Sequence, residues 1–266
     1  MRLKLGDIEW KLGHLQRALE IYEQSFADGV RHAAYEKFER YYASKGQMEK
    51  ALQYFRLKWA LREERWGPLK VLMNKLFEVD VYAKAGKNDE AFQTLKDIES
   101  ELDPPLDKVT VIGYVAIYLE LEDADNAEKH IADCEVVEQE LGVLQTFISL
   151  GKGRVAELRG QYGEAIQSYG EVLEIEPTDV SVNTYVGRCY GRLGQFRKAE
   201  EHLQQALKFF PAYPEAHYEI ALVYWDMGKK EKALEHLNTA LDFWKDADAE
   251  YKPAKRAREK LTEWQE

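Results

Sequence analysis

The sequence predicts an all-α solenoid, in which about seven helical hairpins stack side by side and one further helix follows them. A short pattern of aromatic, glycine and alanine residues recurs along the 266-residue chain. Its alanines are separated by 33, 40, 36, 38, 34 and 34 residues, a period typical of stacked helical hairpins. All seven prolines lie at predicted hairpin boundaries or near the start of the last helix, where they interrupt no helix. The recurring alanines are Ala18, Ala51, Ala91, Ala127, Ala165, Ala199 and Ala233.

Composition agrees with the solenoid and excludes several functions. Charged residues make up 32% of the chain and hydrophobic residues 45%, as amphipathic helices require. The net charge of −11 argues against a general nucleic-acid binder, which needs a basic face. We interpret the two cysteines, Cys134 and Cys189, as buried small apolar residues. Without a signal peptide or a membrane-spanning stretch, we expect a soluble, cytoplasmic protein that does not insert into membranes.

The pattern is clearest between residues 180 and 247, where two units of 34 residues align. Small residues allow two helices to approach closely, tyrosine and leucine fill the space beside them, and glycine permits the turn. One such unit has no core of its own, so it must pack against its neighbours. The aligned positions hold Gly187, Tyr190, Gly194, Ala199, Leu203 and Ala206 in the first unit and Ala221, Tyr224, Gly228, Ala233, Leu237 and Ala240 in the second.

This pattern resembles the tetratricopeptide repeat (TPR) family, and the resemblance covers nearly the whole chain. It implies a right-handed superhelix. The first four units depart from the family pattern, since Glu122 replaces the turn glycine of the fourth and the spacings after Ala51 and Ala127 are long. The tryptophan that the family carries near the start of each unit is absent throughout. The predicted units are 1–31, 32–71, 72–107, 108–145, 146–179, 180–213 and 214–247.

Residues 248–266 predict a C-terminal capping helix that shields the open end of the stack. Apolar residues recur there at spacings of three and four, and basic residues occupy the other faces. No comparable cap precedes the first unit, so we expect the chain to be the C-terminal part of a longer protein. The apolar positions are Tyr251, Ala254, Ala257, Leu261 and Trp264.

No motif in the sequence indicates catalysis or a cofactor. His130, His202 and His236 take the same position in their units, and equivalent positions in neighbouring hairpins lie about 10 Å apart. The ligands of one zinc ion lie within roughly 4 Å of each other, so we expect no shared metal site. The chain also lacks a phosphate-binding loop and a nucleophile motif. We therefore predict a non-enzymatic protein without metal or cofactor.

The resemblance places candidate site residues on the concave face, which the first helix of each unit lines in TPR arrays. Arg154 and Arg188 occupy equivalent positions in successive units and form a short basic ladder. Such arginines could bind the carboxylates of an acidic peptide. Alternatively, each pairs with a neighbouring glutamate such as Glu157 or Glu219, which contributes little energy at a surface. The candidates are Arg40, Lys84, Arg154, Tyr185, Arg188, Arg192, Tyr218 and Trp225.

The first functional hypothesis is a scaffold or adaptor that binds a protein or peptide partner, with an acidic peptide as one candidate, in the concave groove. The second is the regulatory or sensing C-terminal region of a larger, bacterial-type signalling protein. The third is a structural protein that forms homo-oligomers through Trp244, Trp264 or the uncapped first unit. The carboxylate clamp that some TPR proteins use for chaperone C-termini is not reproduced at Thr184 and Arg188.

Overall fold

A computed structural model describes residues 2–60, 67–101, 108–141 and 144–266. Within these ranges all regular secondary structure is α-helical and comprises fifteen helices. The helices are α1 (Arg2–Lys11), α2 (Leu15–Ala27), α3 (Arg31–Ser44), α4 (Met48–Ala60), α5 (Gly67–Lys84), α6 (Asn88–Glu101), α7 (Lys108–Glu120), α8 (Ala124–Leu141), α9 (Gln145–Leu158), α10 (Tyr162–Ile175), α11 (Val180–Arg192), α12 (Phe196–Phe209), α13 (Pro214–Asp226), α14 (Lys230–Phe243) and α15 (Lys252–Gln265).

Helices α1 to α14 pair in chain order as seven antiparallel hairpins, and the recurring alanines mark their packing. All seven of these alanines are fully buried, each with 0% of its surface exposed. A larger side chain at such a position would push the paired helices apart. In the sixth hairpin the same logic applies to Gly187, since a Cβ there would lie 2.6 Å from Cγ of Leu203. The prediction of an all-α solenoid is confirmed.

The turn within each hairpin, which we call the hairpin tip, contains one residue in the left-handed conformation. In six hairpins it is a glycine, with φ between 71° and 87°. In the fourth hairpin Glu122 adopts the same conformation with φ 60°, at a steric cost that glycine avoids. The turn of the fourth hairpin therefore forms without a glycine at this position. The six glycines are Gly13, Gly46, Gly86, Gly160, Gly194 and Gly228.

The irregular spacings of the first four hairpins correspond to long helices. α5 and α8 each contain 18 residues, and α5 begins at Gly67, within the unit predicted to end at residue 71. Residues 61–66 of the predicted long connection, and Pro104 and Pro105 at the boundary of the third unit, lie outside the described residues. Within the described ranges, no helix combines the length and the apolar character needed to span a lipid bilayer.

The array curves back on itself, so that the tips of the first hairpins contact the last ones. In the first hairpin, the Lys11 carbonyl accepts a 3.3 Å hydrogen bond from the amide of Ala212, and Trp10 meets Phe210 edge-on with ring centroids 5.1 Å apart. In the second, the Gly46 carbonyl accepts a 3.0 Å bond from the amide of Asp248. The concave face is therefore enclosed rather than open along its length.

The C-terminal helix α15 contributes to this closure. It packs on α14, as expected for a capping helix, and Ala254 and Ala257 are fully buried. The prediction of a helix that only shields the end of the stack is incomplete, because its basic residues reach the fourth hairpin. Arg256 Nη2 donates to Glu122 Oε1 at 2.6 Å, and Lys252 Nζ donates to the Glu120 carbonyl at 3.4 Å.

Candidate functional site: a charged cavity on the concave face

The enclosed concave face contains a cavity of about 530 Å³. The first helices of the last three hairpins, α9, α11 and α13, form one wall. The ends of α5 and α7 and the start of α15 form the rest. Six of the eight predicted site residues line it together, because they lie on the groove side of the first helices of their hairpins. These six are Lys84, Arg154, Tyr185, Arg188, Arg192 and Tyr218.

Arg188 at the centre of the cavity is held by carboxylates of both neighbouring hairpins. Its guanidinium makes two hydrogen bonds to the Glu157 carboxylate, one of them Nη2 to Oε2 at 2.9 Å. Its Nη1 lies 3.6 Å from Glu219 Oε1. Arg154 Nη1 lies 3.7 Å from Glu157 Oε2. The structure therefore agrees with the glutamate-pairing interpretation for both arginines of the ladder.

Tyr185 is fixed between the same two arginines. The guanidinium carbons of Arg154 and Arg188 each lie 4.9 Å from the centroid of its ring. Cation–π contacts of this kind contribute on the order of 1 kcal/mol each and gain strength as water is excluded. Both cations of the ladder are thus paired with carboxyl groups of the chain itself.

The carboxyl groups of the cavity differ in their protonation behaviour. Burial opposes the charge of Glu157, but Arg188 and Arg154 hold its pKa below the ordinary value, and the Tyr169 hydroxyl donates to it at 2.8 Å. Burial raises the pKa of Glu215 to about 7, and it also raises that of Glu219 despite Arg188 beside it. Glu215 is therefore a cavity carboxyl that titrates near neutral pH.

Arg192, one helical turn beyond Arg188, is exposed and forms no ion pair or hydrogen bond within the described part of the chain. It borders both the main cavity and an adjoining pocket of about 360 Å³, together with Tyr218. Its guanidinium donors are available to a ligand, whereas most of those of Arg188 are not. Arg192 is consequently the arginine best placed to bind a carboxylate.

Three of the predicted site residues are engaged by other groups of the chain. Trp225 lines the adjoining pocket but stacks on Trp264 of α15, with ring centroids 4.2 Å apart and planes 1° from parallel, so the chain itself covers one face of this predicted anchor. Arg40 lies outside the cavity, where its guanidinium carbon sits 5.6 Å from the Trp10 ring centroid. Lys84 lines the cavity but donates to Asp80 Oδ2 at 2.8 Å.

Sequence reasoning missed the tyrosines and the carboxyl that complete the cavity wall. Tyr213 and Glu215 flank the start of α13, at a predicted unit boundary rather than on the groove side of a helix. Tyr251 lies at the start of α15, a helix that was predicted to shield the open end of the stack. Only the apolar spacing of Tyr251 in the capping helix indicated that it would be buried.

Histidines of the last hairpin form a pair that the repeat positions did not predict. His217 Nδ1 lies 2.8 Å from His236 Nδ1, and His217 Nε2 lies 2.9 Å from the Pro211 carbonyl. Since a carbonyl only accepts, both contacts are satisfied with two neutral rings when His217 Nε2 donates to the carbonyl and His217 Nδ1 accepts from His236 Nδ1. Among the described residues no group of three histidine, cysteine or carboxylate side chains is placed to hold a metal ion. The two cysteines are buried, as predicted.

Comparison with known proteins identifies the repeat. The family described as tetratricopeptide repeat matches residues 158–208 and 192–258, and the family described as PPR repeat matches residues 79–101. No curated protein matches the sequence. A tetratricopeptide repeat protein from Parabacteroides merdae has a similar solved structure, with a TM-score of 0.58, 14% identity and 97% of each chain covered. A crystal structure of MamA covers 63% of this chain and 95% of its own, with a TM-score of 0.44 and 17% identity.

Proposed function

Since this chain belongs to the tetratricopeptide repeat family, we propose that it is a non-enzymatic scaffold that binds a short segment of a protein partner at its concave cavity. Arrays of this family typically lack enzymatic activity and present a concave surface to a protein. The observation that carries the proposal is Arg192, whose charged donors are free at the mouth of a cavity lined by tyrosines. A protein ligand also suits a net charge of −11 better than a nucleic acid does.

The dimensions of the cavity favour a short ligand over a long extended peptide. Its volume of about 530 Å³ falls within the range of roughly 300–1,000 Å³ found for sites that take small groups. At the mouth of the cavity, Arg192 can bind a carboxylate and Tyr218 can make apolar contact with the same ligand. We therefore propose that the partner inserts one or a few residues that include an acidic side chain or a chain terminus.

The test compares Arg192→Glu with Arg197→Glu, an exposed arginine on the second helix of the same hairpin. A peptide array identifies ligands of the wild-type protein, and fluorescence anisotropy measures their affinity. Because a charged hydrogen bond contributes about 1.5–3 kcal/mol, Arg192→Glu should weaken binding by on the order of 10- to 100-fold. Arg197→Glu should not, and added salt should weaken the wild-type complex.

Arg188 is a poor target for this test, even though its ladder position singled it out. Replacing it by glutamate would bring a third carboxylate against Glu157 and Glu219 in a buried site and destabilise the fold. Unchanged affinity in the Arg192→Glu variant would contradict the proposed role of the cavity mouth.

A second candidate function is self-association through the first hairpin. Leu5 and Ile8 on one face of α1, and Leu12 directly after its end, are 44%, 54% and 50% exposed. The tryptophans considered for this role are used within the chain, because Trp244 is 1% exposed and Trp264 stacks on Trp225. We propose that any homo-oligomer forms through α1.

A further inference from the structure

The segment from Trp244 to Glu266, which we call the closing segment, connects the last hairpin to the tips of the second, third and fourth. At the second tip it acts as an external helix cap. Asp248 Oδ2 accepts a 2.8 Å hydrogen bond from the amide of Met48, the first residue of α4. An aspartate in this position satisfies a free amide and favours the positive end of the helix dipole. The cap comes from a residue 200 positions away in the chain.

Aromatic residues of the closing segment complete an apolar cluster with helix residues beside the tips of the second and third hairpins. Trp244 and Tyr251, 1% and 5% exposed, pack in one cluster with Met48, Leu52 and Val81. The tip residue Gly46 leaves just enough space, since a Cβ there would lie 2.8 Å from Tyr251 Cγ. The tips therefore present a formed surface that takes one aspartate and one tyrosine three residues later.

The helical part of the closing segment supplies positive charge. Arg256 pairs with Glu122 at 2.6 Å, and these side chains are 58% and 48% exposed. Lys252 donates to the Glu120 carbonyl, at the C-terminal end of α7 where the helix dipole favours a cation. Tyr251, Lys252 and Arg256 also line the concave cavity. Whatever moves the closing segment therefore opens the cavity.

We propose that the closing segment is an intramolecular ligand of these three tips, and that a partner segment of the same chemistry displaces it and opens the cavity. That chemistry is an aspartate, a tyrosine three residues later and a basic helix after it. The inference rests on the proposed function, in which the concave face binds a partner. In the free protein the tethered segment has an effective concentration near the millimolar range, so it excludes a weak competitor.

The test uses a fluorescein-labelled synthetic peptide of residues 244–266 as the probe for binding to the full chain. The receptor variant Asp248→Ala/Arg256→Glu weakens the tethered contact at both ends. Its matched control, Asp242→Ala/Arg197→Glu, makes the same substitutions at two exposed positions outside the closing segment. We expect the peptide to bind the first variant at least about tenfold more tightly than the control or the wild type.

Specificity is tested by exchanging charges. A peptide carrying Arg256→Glu should bind the weakened receptor several-fold less well than the normal peptide does. Glu122→Arg should restore its binding when it is placed in an Asp248→Ala/Arg256→Ala receptor, because the tethered segment of that receptor has no carboxylate at position 256 to pair with the new arginine. If Asp248→Ala/Arg256→Glu loses helical content by circular dichroism, Arg256→Glu alone replaces it, because that side chain is mostly exposed.

A folded variant that binds the peptide no more tightly than the control would overturn the inference. So would equal binding of the normal and the Arg256→Glu peptides. If either result occurs while Arg192-dependent binding of an acidic ligand persists, the intramolecular ligand is refuted and the proposed function is retained. If the peptide experiments give the expected results but Arg192→Glu leaves the binding of an acidic ligand unchanged, the proposed function is refuted and the intramolecular ligand is retained.

Discussion

Replacing Gly46 by alanine should reveal how much the closure of the array contributes to stability. Gly46 and Gly160 occupy the same position in their hairpin tips, with φ +71° and +72°. Alanine in the left-handed conformation costs roughly 1–2 kcal/mol at either site. At Gly160 a Cβ meets nothing within 4 Å, whereas at Gly46 it lies 2.8 Å from both Ala247 Cβ and Tyr251 Cγ. Overpacking of this kind adds about 1–3 kcal/mol.

We therefore expect Gly160→Ala to lower the free energy of unfolding by about 1–2 kcal/mol and Gly46→Ala by about 2–5 kcal/mol. Urea denaturation followed by far-UV circular dichroism measures both. The closing segment can also relieve the clash by moving away, which limits the loss to the free energy of closure. In that case the amide of Met48, which donates to Asp248, should exchange faster with solvent. Equal costs at the two glycines, with unchanged exchange at Met48, would refute the contact between the second tip and the closing segment.

Two further predictions concern pH and self-association. Burial lowers the pKa of His217 and, with His217 beside it, lowers that of His236 to about 4, so the folded state resists protonation. The contribution of this pair to stability should therefore be fully present above the unfolded histidine pKa of about 6.5 and decrease as the pH falls towards 4, whereas the raised pKa of Glu215 adds stability as the pH falls through about 7. Urea titrations should therefore show that the difference in unfolding free energy between the wild type and His236→Gln falls between pH 7 and pH 5, and a difference that is independent of pH would exclude the pair as a source of pH dependence. Light scattering at several concentrations should show a mass that rises with concentration for the wild type and a constant monomer mass for Ile8→Glu; a monomeric wild type would exclude association through α1.

The local parts of the fold could be predicted because they depend on contacts within one repeat. An alanine such as Ala199 is buried against the partner helix of its own hairpin, and a tip such as Gly194 turns between two adjacent helices. The closure could not be predicted in this way. The curvature of a solenoid is the sum of small rotations between successive repeats, and this sum cannot be derived from the residue pattern of the repeats. In the repeat pattern Gly46 is only a turn glycine, and Asp248 was predicted only as the start of the capping helix.

In the candidate site, too, the positions of the arginines could be predicted from the repeat, but their ion pairs could not. The repeat register placed Arg154, Arg188 and Arg192 on one face, and in the structure all three line one cavity. It did not separate the paired arginines from the free one, because pairing depends on the neighbouring hairpins. Arg188 meets Glu157 from the hairpin before and Glu219 from the hairpin after, while Arg192, one turn further along, meets neither. Ion pairs between repeats therefore have to be determined from the packed structure.

Closure changes how the repeats of this array communicate. In an open solenoid each repeat contacts only its neighbours, so a perturbation weakens with distance along the stack. Here the amide of Met48 bonds to Asp248 and Glu122 bonds to Arg256, which links the second and fourth hairpins directly to the C-terminal segment. The irregular first half of the chain thus gains contacts that its own repeat pattern does not supply. A partner segment that displaces residues 244–266 would take over these contacts at the tips and open the cavity in one step, so binding at the tips and at Arg192 should be positively coupled.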